Sequence, residues 1–273
     1  MVLEISYQNY QRRISRVREE MQKKGLQCMI VANATNIQYM SGFWHVPTER
    51  PTVLIIPQDG ELILMTGRLE YLNAKDRVPW ARVEPLYFDY PGEKPPLTIF
   101  AESLAQWGFN KGKIGFDQHE YQSGSHVTSS GDPIPSKTLE PAELTWAGDI
   151  ISSMRYIRDE EEISILKECV RWGNLGMSII QDNVAPGLFE AEVSMESECA
   201  ASGMMLRAMP ENWEPYAYGA GPAQALIKAG PRAMLSHRSP SNRKLRKGDV
   251  IYAYASGHIY GYSDELERNI FVG

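Results

Sequence analysis

The chain carries at 229–251 the stretch AGPRAMLSHRSPSNRKLRKGDVI and at 261–273 the stretch GYSDELERNIFVG, and these two stretches decide how its second half folds. Short apolar or aromatic runs, YAYGAG, DVIYAYAS and RNIFVG, alternate there with glycine and with the basic loop SNRKLRKGD. Runs of this length between turn residues are typical of strands. The end of the chain is therefore predicted to form antiparallel strands.

Two helices are predicted to precede those strands. The segment IRDEEEISILKECVRWGNLGMSIIQDNV opens with carboxylates, which the positive end of a helix dipole favours. Four apolar residues then recur at roughly helical spacing and predict the buried stripe: Ile163, Leu166, Val170 and Leu175. Pro186-Gly187 ends this helix, and a second one is predicted from Glu190 to Ser202, before Gly203.

The first half of the chain alternates strands with helices. An amphipathic helix over 8–24 is followed by the strands CMIVAN, PTVLIIP, ELILMTG and KIGFD, with a crossover helix over 68–75 and another helix around 99–107. This pattern predicts an α/β domain over 1–150 with a mixed, largely buried sheet. Residues 151–273 are predicted to form a second, α+β domain.

The composition limits the function classes. The chain has 43% apolar and 23% charged residues with a net charge of −6, and its basic residues are scattered, so no footprint for nucleic acid is present. No apolar stretch reaches the roughly 18 residues of a membrane span, and the first residues lack a signal core, so we expect a cytoplasmic protein. The three cysteines are widely separated and indicate reduced core thiols. The expected partner is a small molecule or a second subunit.

The blocks quoted above resemble the superfamily of methionine aminopeptidase, aminopeptidase P, prolidase and creatinase. GLQCMIVANATNIQYMSGFW is similar to the family's opening helix, strand and asn-ile-x-tyr segment, and APGLFEAEV to its pro-gly helix start. The two terminal stretches match its "gly-pro … his … gly-asp" and "gly-tyr … arg" blocks without a gap. The resemblance implies an N-terminal creatinase-type domain followed by half of a pita-bread catalytic domain, and a homodimer.

Metal-dependent members of this superfamily hold two divalent ions with a pair of aspartates eleven residues apart. In this chain the corresponding positions are Tyr254 and Glu265. A phenol keeps its proton until about pH 10 and is a poor ligand for a hard cation, whereas carboxylates are ionised. We therefore expect no metal cofactor. The alternative is a site for Mn, Co or Zn that uses Glu265 and the C-terminal ligands that relatives carry. Asp264 could swing in beside Glu265, but the position of Tyr254 would still lack an oxygen anion.

Creatinase departs from the metallopeptidases in the same way, and the chain is similar to it at Leu266-Glu267-Arg268. There the resemblance implies that Glu267 binds a guanidinium-like group. The histidine that creatinase uses as acid and base matches His237, which lies thirteen residues, counted inclusively, before the end of Lys247-Gly248-Asp249.

The residue chemistry agrees with these roles but leaves alternatives open. Histidine can accept and return a proton near neutral pH, so His237 is the candidate acid and base; otherwise it is an ordinary residue of a polar turn. Glu265 and Glu267 alternate in a strand and should share a face suited to a cationic or amidine-bearing substrate, unless that face is merely solvated. Tyr254 is a candidate substrate ligand or a packing residue.

The remaining expectations concern the partner subunit, the other histidines and the length. Arg50, in the segment FWHVPTER, is a candidate ligand for a substrate carboxylate in the partner's pocket, or part of an exposed loop. His119, His126 and His258 have no ligand-like spacing and are interpreted as structural. Relatives continue for roughly a hundred further residues, so we expect a truncated chain whose half-sheet leaves an open edge.

Three functions remain open at this point. The first is metal-independent hydrolysis of a C–N bond in a small amidine, ureido or amide compound. The second is a metal-dependent Xaa-Pro peptidase acting on dipeptides. The third is a non-catalytic binding or scaffold domain.

Overall fold

The computed structural model describes residues 3–48, 50–88, 94–117, 139–216 and 221–273, and the backbone alone of 122–123 and 126–127. The chain divides into two compact units, Ile5–Arg158 and Asp159–Gly273. The domain boundary predicted near residue 150 falls inside the last helix of the first unit, Gly148–Tyr156. No helix in the described ranges combines the length and the apolar character needed to cross a bilayer.

The first unit is built on a mixed sheet, as predicted. The strands of this unit are β1 Leu26–Val31, β2 Val53–Pro57, β3 Ile63–Gly67, β4 Arg82–Tyr87, β5 Lys113–Phe116, β6 Gln122–Ser123, β7 His126–Val127 and β8 Glu143–Trp146. Strands β6 and β7 pair with each other in a separate two-stranded sheet. The six-stranded sheet has the order β4-β3-β2-β1-β5-β8. Strands β2 and β3 are buried along their whole length, which is why both appear in the sequence as continuous apolar runs.

Helices cover this sheet. They are α1 Tyr7–Lys24, α2 Ala34–Ser41, α3 Tyr71–Arg77, α4 Pro96–Gln106 and α5 Gly148–Tyr156. One apolar cluster joins the buried residues of α1, α2 and α5 to one set of strand side chains, and a second cluster joins α4 to another set. The predicted crossover helix forms as a 3₁₀ turn over Arg68–Glu70 that continues into α3, between the parallel strands β3 and β4.

The second unit places two helices on an antiparallel sheet, which confirms the predicted half of a pita-bread domain. Its elements are α6 Glu160–Asn183, α7 Glu190–Ala208, β9 Ala223–Ala229, β10 Val250–Ile259, β11 Tyr262–Ser263 and β12 Leu266–Phe271. Strand β10 is central: it pairs with β9 on one side, with β12 on the other, and with β11 at its end. Among the described strands β12 pairs only with β10, so the expected open edge is present, with Phe271 73% exposed. Of the predicted strand YAYGAG, residues 217–220 lie outside the described ranges.

Helix α6 forms as predicted but buries a different face. A capping box starts it, because Asp159 accepts from the N–H of Glu162 and Glu162 accepts from that of Asp159, at 3.0 and 3.1 Å. Ile163 and Val170, predicted to be buried, are 41% and 46% exposed. The buried stripe contains instead Ile165, Cys169, Trp172, Gly173, Gly176, Met177 and Ile180. The prediction of the stripe was wrong because the residues of the buried face recur at the same helical spacing, so the spacing alone does not choose between the two faces.

Those glycines allow α6 to approach the sheet closely. A Cβ atom on Gly173 would lie 2.2 Å from a carboxylate oxygen of Asp264, and one on Gly257 would lie 2.5 Å from the carbonyl oxygen of Cys169. A Cβ on Gly176 would meet its nearest neighbour, in Ala255, at an ordinary 3.4 Å. Gly173 and Gly257 are therefore required by the packing, and Gly176 is not.

Helix α7 runs to Ala208, six residues beyond the predicted end at Ser202. Gly203 does not stop it, because the residues that follow, Met204, Met205 and Leu206, are good helix formers and Met205 is buried.

Side chains of α7 satisfy the outer edge of β9. The N–H groups of alternate residues in the strand face side chains spaced four apart in the helix. Ala223 donates to Ser202, Ile227 to Ser194 and Ala229 to Glu190, and the N–H of Ala225 opposes the rise that burial causes in the pKa of Glu198. Four helical residues rise about 6.0 Å and two strand residues about 6.6 Å, so the two spacings match. We call these four side chains the α7 ladder; they replace a neighbouring strand.

We expect Gly173→Ala and Gly176→Ala to differ in stability. Both changes gain about 1 kcal/mol of helix propensity, but only Gly173→Ala displaces the Asp264 carboxylate, an overpacking cost of about 1–3 kcal/mol. Urea denaturation should show a lower free energy of unfolding for Gly173→Ala than for Gly176→Ala. Equal stability of the two variants would contradict the close packing of α6 on the sheet.

Candidate functional site

One face of the second unit's sheet carries the candidate site. Alternate residues of β10, among them Ala253 and Ala255, join the apolar cluster under the helices, so Tyr252 and Tyr254 point to the opposite face. On that face Tyr254 lies opposite Glu267 of β12 in the strand register. We call it the tyrosine face.

Tyr252 binds Glu267 directly. Its hydroxyl donates a hydrogen bond to Glu267 Oε1. Burial, this hydrogen bond and the negative charges of Glu267 and Glu265 raise the pKa of Tyr252 to about 12. Both predicted carboxylates therefore act on one phenol, which stays a neutral hydrogen-bond donor at neutral pH. That Glu265 and Glu267 share a face stays a prediction.

Tyr254 is half-buried between its register partners, Glu267 on β12 and Leu226 on β9. It occupies the position that an aspartate ligand holds in the metal-dependent pattern. Its phenol can donate a hydrogen bond to a ligand on this face but offers no oxygen anion.

Asp264 cannot supply the missing anion. Its Oδ1 accepts from the N–H of Gly257 at 2.6 Å, and its other carboxylate oxygen fills the space left by Gly173. Burial raises the pKa of Asp264. A swing of Asp264 towards Glu265 would break these contacts, and the position of Tyr254 would still lack an oxygen anion.

A metal centre does not fit the residues present. No group of three histidine, cysteine, aspartate or glutamate side chains suited to a metal ion occurs in the described ranges. Tyr254 and Glu265 together offer one carboxylate, whereas two divalent cations need several oxygen anions. We therefore derive no chemical step through a metal.

His237 lies at the tip of an exposed loop. The loop follows the 3₁₀ turn Gly230–Met234, and His237 takes a left-handed backbone conformation with φ +57°. Its imidazole is exposed to solvent. In the described part of the chain no hydrogen bond or ion pair joins His237 to Glu265, Glu267 or Tyr254. The structure does not bring the predicted acid and base into direct contact with the tyrosine face.

Glu190 fixes the base of that loop, which we call the histidine loop (residues 230–241). The Glu190 side chain is fully buried and its carboxylate accepts from Ala229 N, Arg232 Nε, Ser241 N and Ser241 Oγ at 3.0, 3.1, 3.0 and 2.7 Å. Arg232 also donates to the carbonyl of Ser239 at 2.8 Å. One carboxylate therefore holds both ends of the loop that carries His237.

These bonds also set the ionisation of Glu190. Burial alone would raise its pKa, but the hydrogen bonds from Ser241, Ala229 and Arg232 outweigh burial and lower it. The carboxylate is therefore charged at neutral pH and contributes stability in that form.

The other predicted residues lie elsewhere. Arg50 is half-buried in the first unit, where its N–H donates to Thr48 Oγ1 at 3.2 Å, and its role towards a partner subunit stays a prediction. His258 lies 3.2 Å from Ser256 Oγ, and burial lowers its pKa, which agrees with a structural residue. His119 and the side chain of His126 lie outside the described residues.

Sequence reasoning missed Tyr252, Lys228 and Glu190. Tyr252 shares the alternation of Tyr254 within YAYA, so the same period could have placed it on the same face. Lys228 is a lysine inside the apolar strand ALIKA, and it is 3% exposed. Buried lysines are rare, which was a usable signal. Nothing in the sequence shows that Glu190 bonds to a loop more than forty residues away.

A cavity of about 400 Å³ opens beside β9. Its lining is formed by Ala191, Ser194, Met195, Glu198, Cys199, Ala225, Leu226 and Pro240. Leu226 is the cross-strand partner of Tyr254, and Pro240 belongs to the histidine loop. The cavity therefore offers space for a small group next to the histidine loop.

We expect Glu190→Gln to lower the free energy of unfolding at pH 7 by about 2–3 kcal/mol, since charge-assisted hydrogen bonds to a buried group are weakened. Because the folded pKa of Glu190 is lowered, its contribution is present above the unfolded pKa of about 4.3 and is lost as pH falls through the folded pKa. The gap between wild type and variant should thus shrink in acid, as followed by denaturation at several pH values.

The matched control is Glu192→Gln, two residues along in the same helix. Glu192 is exposed and only accepts from the N–H of Phe189, so the change should cost less than about 1 kcal/mol. Equal losses for the two variants, or a gap for Glu190→Gln that persists in acid, would refute the assignment.

Known proteins share parts of this sequence. Residues 13–157 match the model of the Creatinase/Prolidase N-terminal domain. The chain is 24% identical over 268 residues to a creatinase from Bacillus sp. (strain B-0618), covering 96% of this chain and 60% of that protein.

Solved structures share the fold. A prolidase from Thermococcus sibiricus superimposes with a TM-score of 0.72 at 24% identity, covering 97% of this chain and 66% of that one. A dipeptidase from Mycobacterium ulcerans gives a TM-score of 0.73 at 18% identity, covering 99% and 66%. The chain thus spans less than two thirds of the length of these relatives. The N-terminal domain matches the family model, and a pita-bread half-sheet follows it in the sequence. The chain therefore belongs to the creatinase and prolidase family.

Proposed function

We propose that this chain is part of a hydrolase that breaks a C–N bond in a small amidine, ureido or amide compound without a metal ion. The observation that carries the proposal is the tyrosine face. There Tyr254 stands where a metal-binding aspartate would be needed, and Glu267 is held by Tyr252 beside it.

Glu267 and Glu265 suit the nitrogen-bearing end of such a substrate. A guanidinium or amidinium group is planar and carries several N–H donors, which a carboxylate can accept in pairs. Glu267 keeps an oxygen, Oε2, that no described hydrogen bond uses, while Tyr252 holds Oε1. Glu265 adds a second negative charge near the same phenol.

His237 supplies the proton transfer in this proposal. As base it takes a proton from water while the water oxygen bonds to the amidine or carbonyl carbon. As acid it returns that proton to the leaving nitrogen as the C–N bond breaks. Both the cationic end at Glu267 and the reacting carbon must then lie within reach of the histidine loop.

A metal-dependent Xaa-Pro peptidase is the second candidate. It is supported by the fold shared with a prolidase and a dipeptidase. It requires ligands beyond Glu265, since the described residues contain no suitable group of three. A non-catalytic binding domain is the third candidate.

We also propose that the protein is a homodimer and that Arg50 of one subunit binds substrate in the other.

The first experiment is metal analysis of the protein encoded by its complete gene, purified without chelator. It is then assayed with EDTA or manganese on Xaa-Pro dipeptides and on a panel of amidine, ureido and amide compounds. We expect substoichiometric metal and turnover that EDTA does not affect. Near-stoichiometric metal with EDTA-sensitive dipeptide cleavage would refute metal-independent hydrolysis.

On the substrate found in that panel, His237→Gln should reduce kcat by about 10²–10⁴-fold, the contribution of a general acid and base. The control is Arg238→Gln, the next exposed residue of the same loop, which should keep kcat within a few fold. Similar rates for wild type and His237→Gln would remove His237 from the chemistry.

A further inference from the structure

We infer that Lys228 is a positioning residue that ties the histidine loop to the tyrosine face. The inference deepens the proposed function, because it explains how His237 could act on a substrate held at Glu267. It assigns a role to a buried lysine that the chemistry above does not use.

Lys228 lies directly opposite Tyr252 in the strand register, on the same face of the sheet. Its Nζ is 4.4 Å from the centroid of the Tyr252 ring and donates to the carbonyl of Leu235 at 3.0 Å. Leu235 is two residues before His237. The ammonium therefore joins the sheet to the loop through one ring and one carbonyl.

The environment of Lys228 is unusual for a lysine. Only 3% of the residue is exposed, yet no carboxylate forms an ion pair with it in the described part of the chain. A buried charge is costly unless another group compensates it. The aromatic ring and the carbonyl therefore provide its stabilisation, and Glu267 contributes through the phenol that it binds.

Cation, ring and anion thus form a series: the ammonium over Tyr252, the Tyr252 hydroxyl on Glu267, and the carboxylate facing the candidate substrate. Hydrogen bonding to a carboxylate increases the electron density of the phenol and strengthens its attraction for the ammonium. A substrate cation at Glu267 would draw on the same carboxylate. A change of charge at Glu267 therefore changes the attraction between the Tyr252 ring and the Lys228 ammonium, and with it the hydrogen bond from Lys228 to the carbonyl of Leu235.

The histidine loop is also anchored at its base. Glu190 holds Arg232 and Ser241, and Arg232 holds Ser239. Lys228 adds a contact nearer to the loop tip, at Leu235, between Arg232 and His237. Loss of Lys228 would release Leu235 while leaving the Glu190 contacts in place.

The test compares Lys228→Met with Lys228→Arg in the full chain. Methionine keeps the length and the packing but removes the charge and the donors, whereas arginine keeps both. We expect trypsin cleavage after Arg238 to accelerate about five- to thirtyfold in Lys228→Met, since cleavage follows the population of the open loop. The imidazole NMR signals of His237 should shift at the same time. Lys228→Arg should restore most of both readouts.

Two controls separate the loop from the rest of the fold. Lys244→Met removes another lysine over an aromatic ring, 5.2 Å from Phe189, but an exposed one that holds no carbonyl of the histidine loop. It should leave cleavage after Arg238 unchanged. Tyr252→Leu should reproduce the effect of Lys228→Met, because it removes the ring under the ammonium, while Tyr252→Phe should loosen the loop less.

Neither trypsin cleavage nor the NMR signals require turnover, so the inference can fail separately from the proposed function. Unchanged cleavage and an unchanged His237 spectrum in Lys228→Met would overturn the positioning role even if hydrolysis is found. A released loop in a protein without hydrolase activity would support the role and reject the chemistry. Where a substrate is turned over, Lys228→Met should lower kcat more than it changes KM.

Discussion

The α7 ladder is the constraint on which the second unit depends. Among the described strands β9 has a neighbour on one side only, and without partners its outer N–H groups would be buried at a cost of about 1–3 kcal/mol each. Two serines and two glutamates at four-residue intervals meet that requirement. Because the ladder fixes the register of helix against strand, it also fixes which residues of β9 face the tyrosines. The last member, Glu190, extends the same arrangement into the histidine loop.

Close packing of α6 on β10 is the second constraint. Glycines on the helix and in the strand allow an approach that side chains would prevent, and Asp264 fills the space so created. The chemistry of the sheet follows from this geometry. Asp264 binds a backbone N–H beneath the helix, so its carboxylate is not available to the tyrosine face on the other side of the sheet.

Elements with strong local signals could be predicted from the sequence, and long-range contacts could not. The buried strands β2 and β3 and the antiparallel end of the chain followed from apolar runs between turns. The stripe of α6 was misassigned because apolar residues recur at helical spacing on two faces of the helix, and the spacing alone does not say which face is buried. The orientation of Asp264 and the bonds of Glu190 depend on residues distant in sequence, so no local pattern contains them.

The left-handed backbone at position 237 favours glycine for folding, whereas the proposed chemistry requires histidine there. Glycine adopts a positive φ without strain, whereas a residue with a Cβ is disfavoured there by about 1 kcal/mol. Replacing His237 with glycine would relieve that strain, and the relief at least offsets the greater conformational entropy that glycine gives the unfolded chain. Within the described residues the exposed imidazole makes no hydrogen bond that this replacement would remove. Under neutral drift the position should thus pass readily to glycine or asparagine. Persistence of histidine across a lineage would measure selection on the imidazole itself, independent of any demand from the fold.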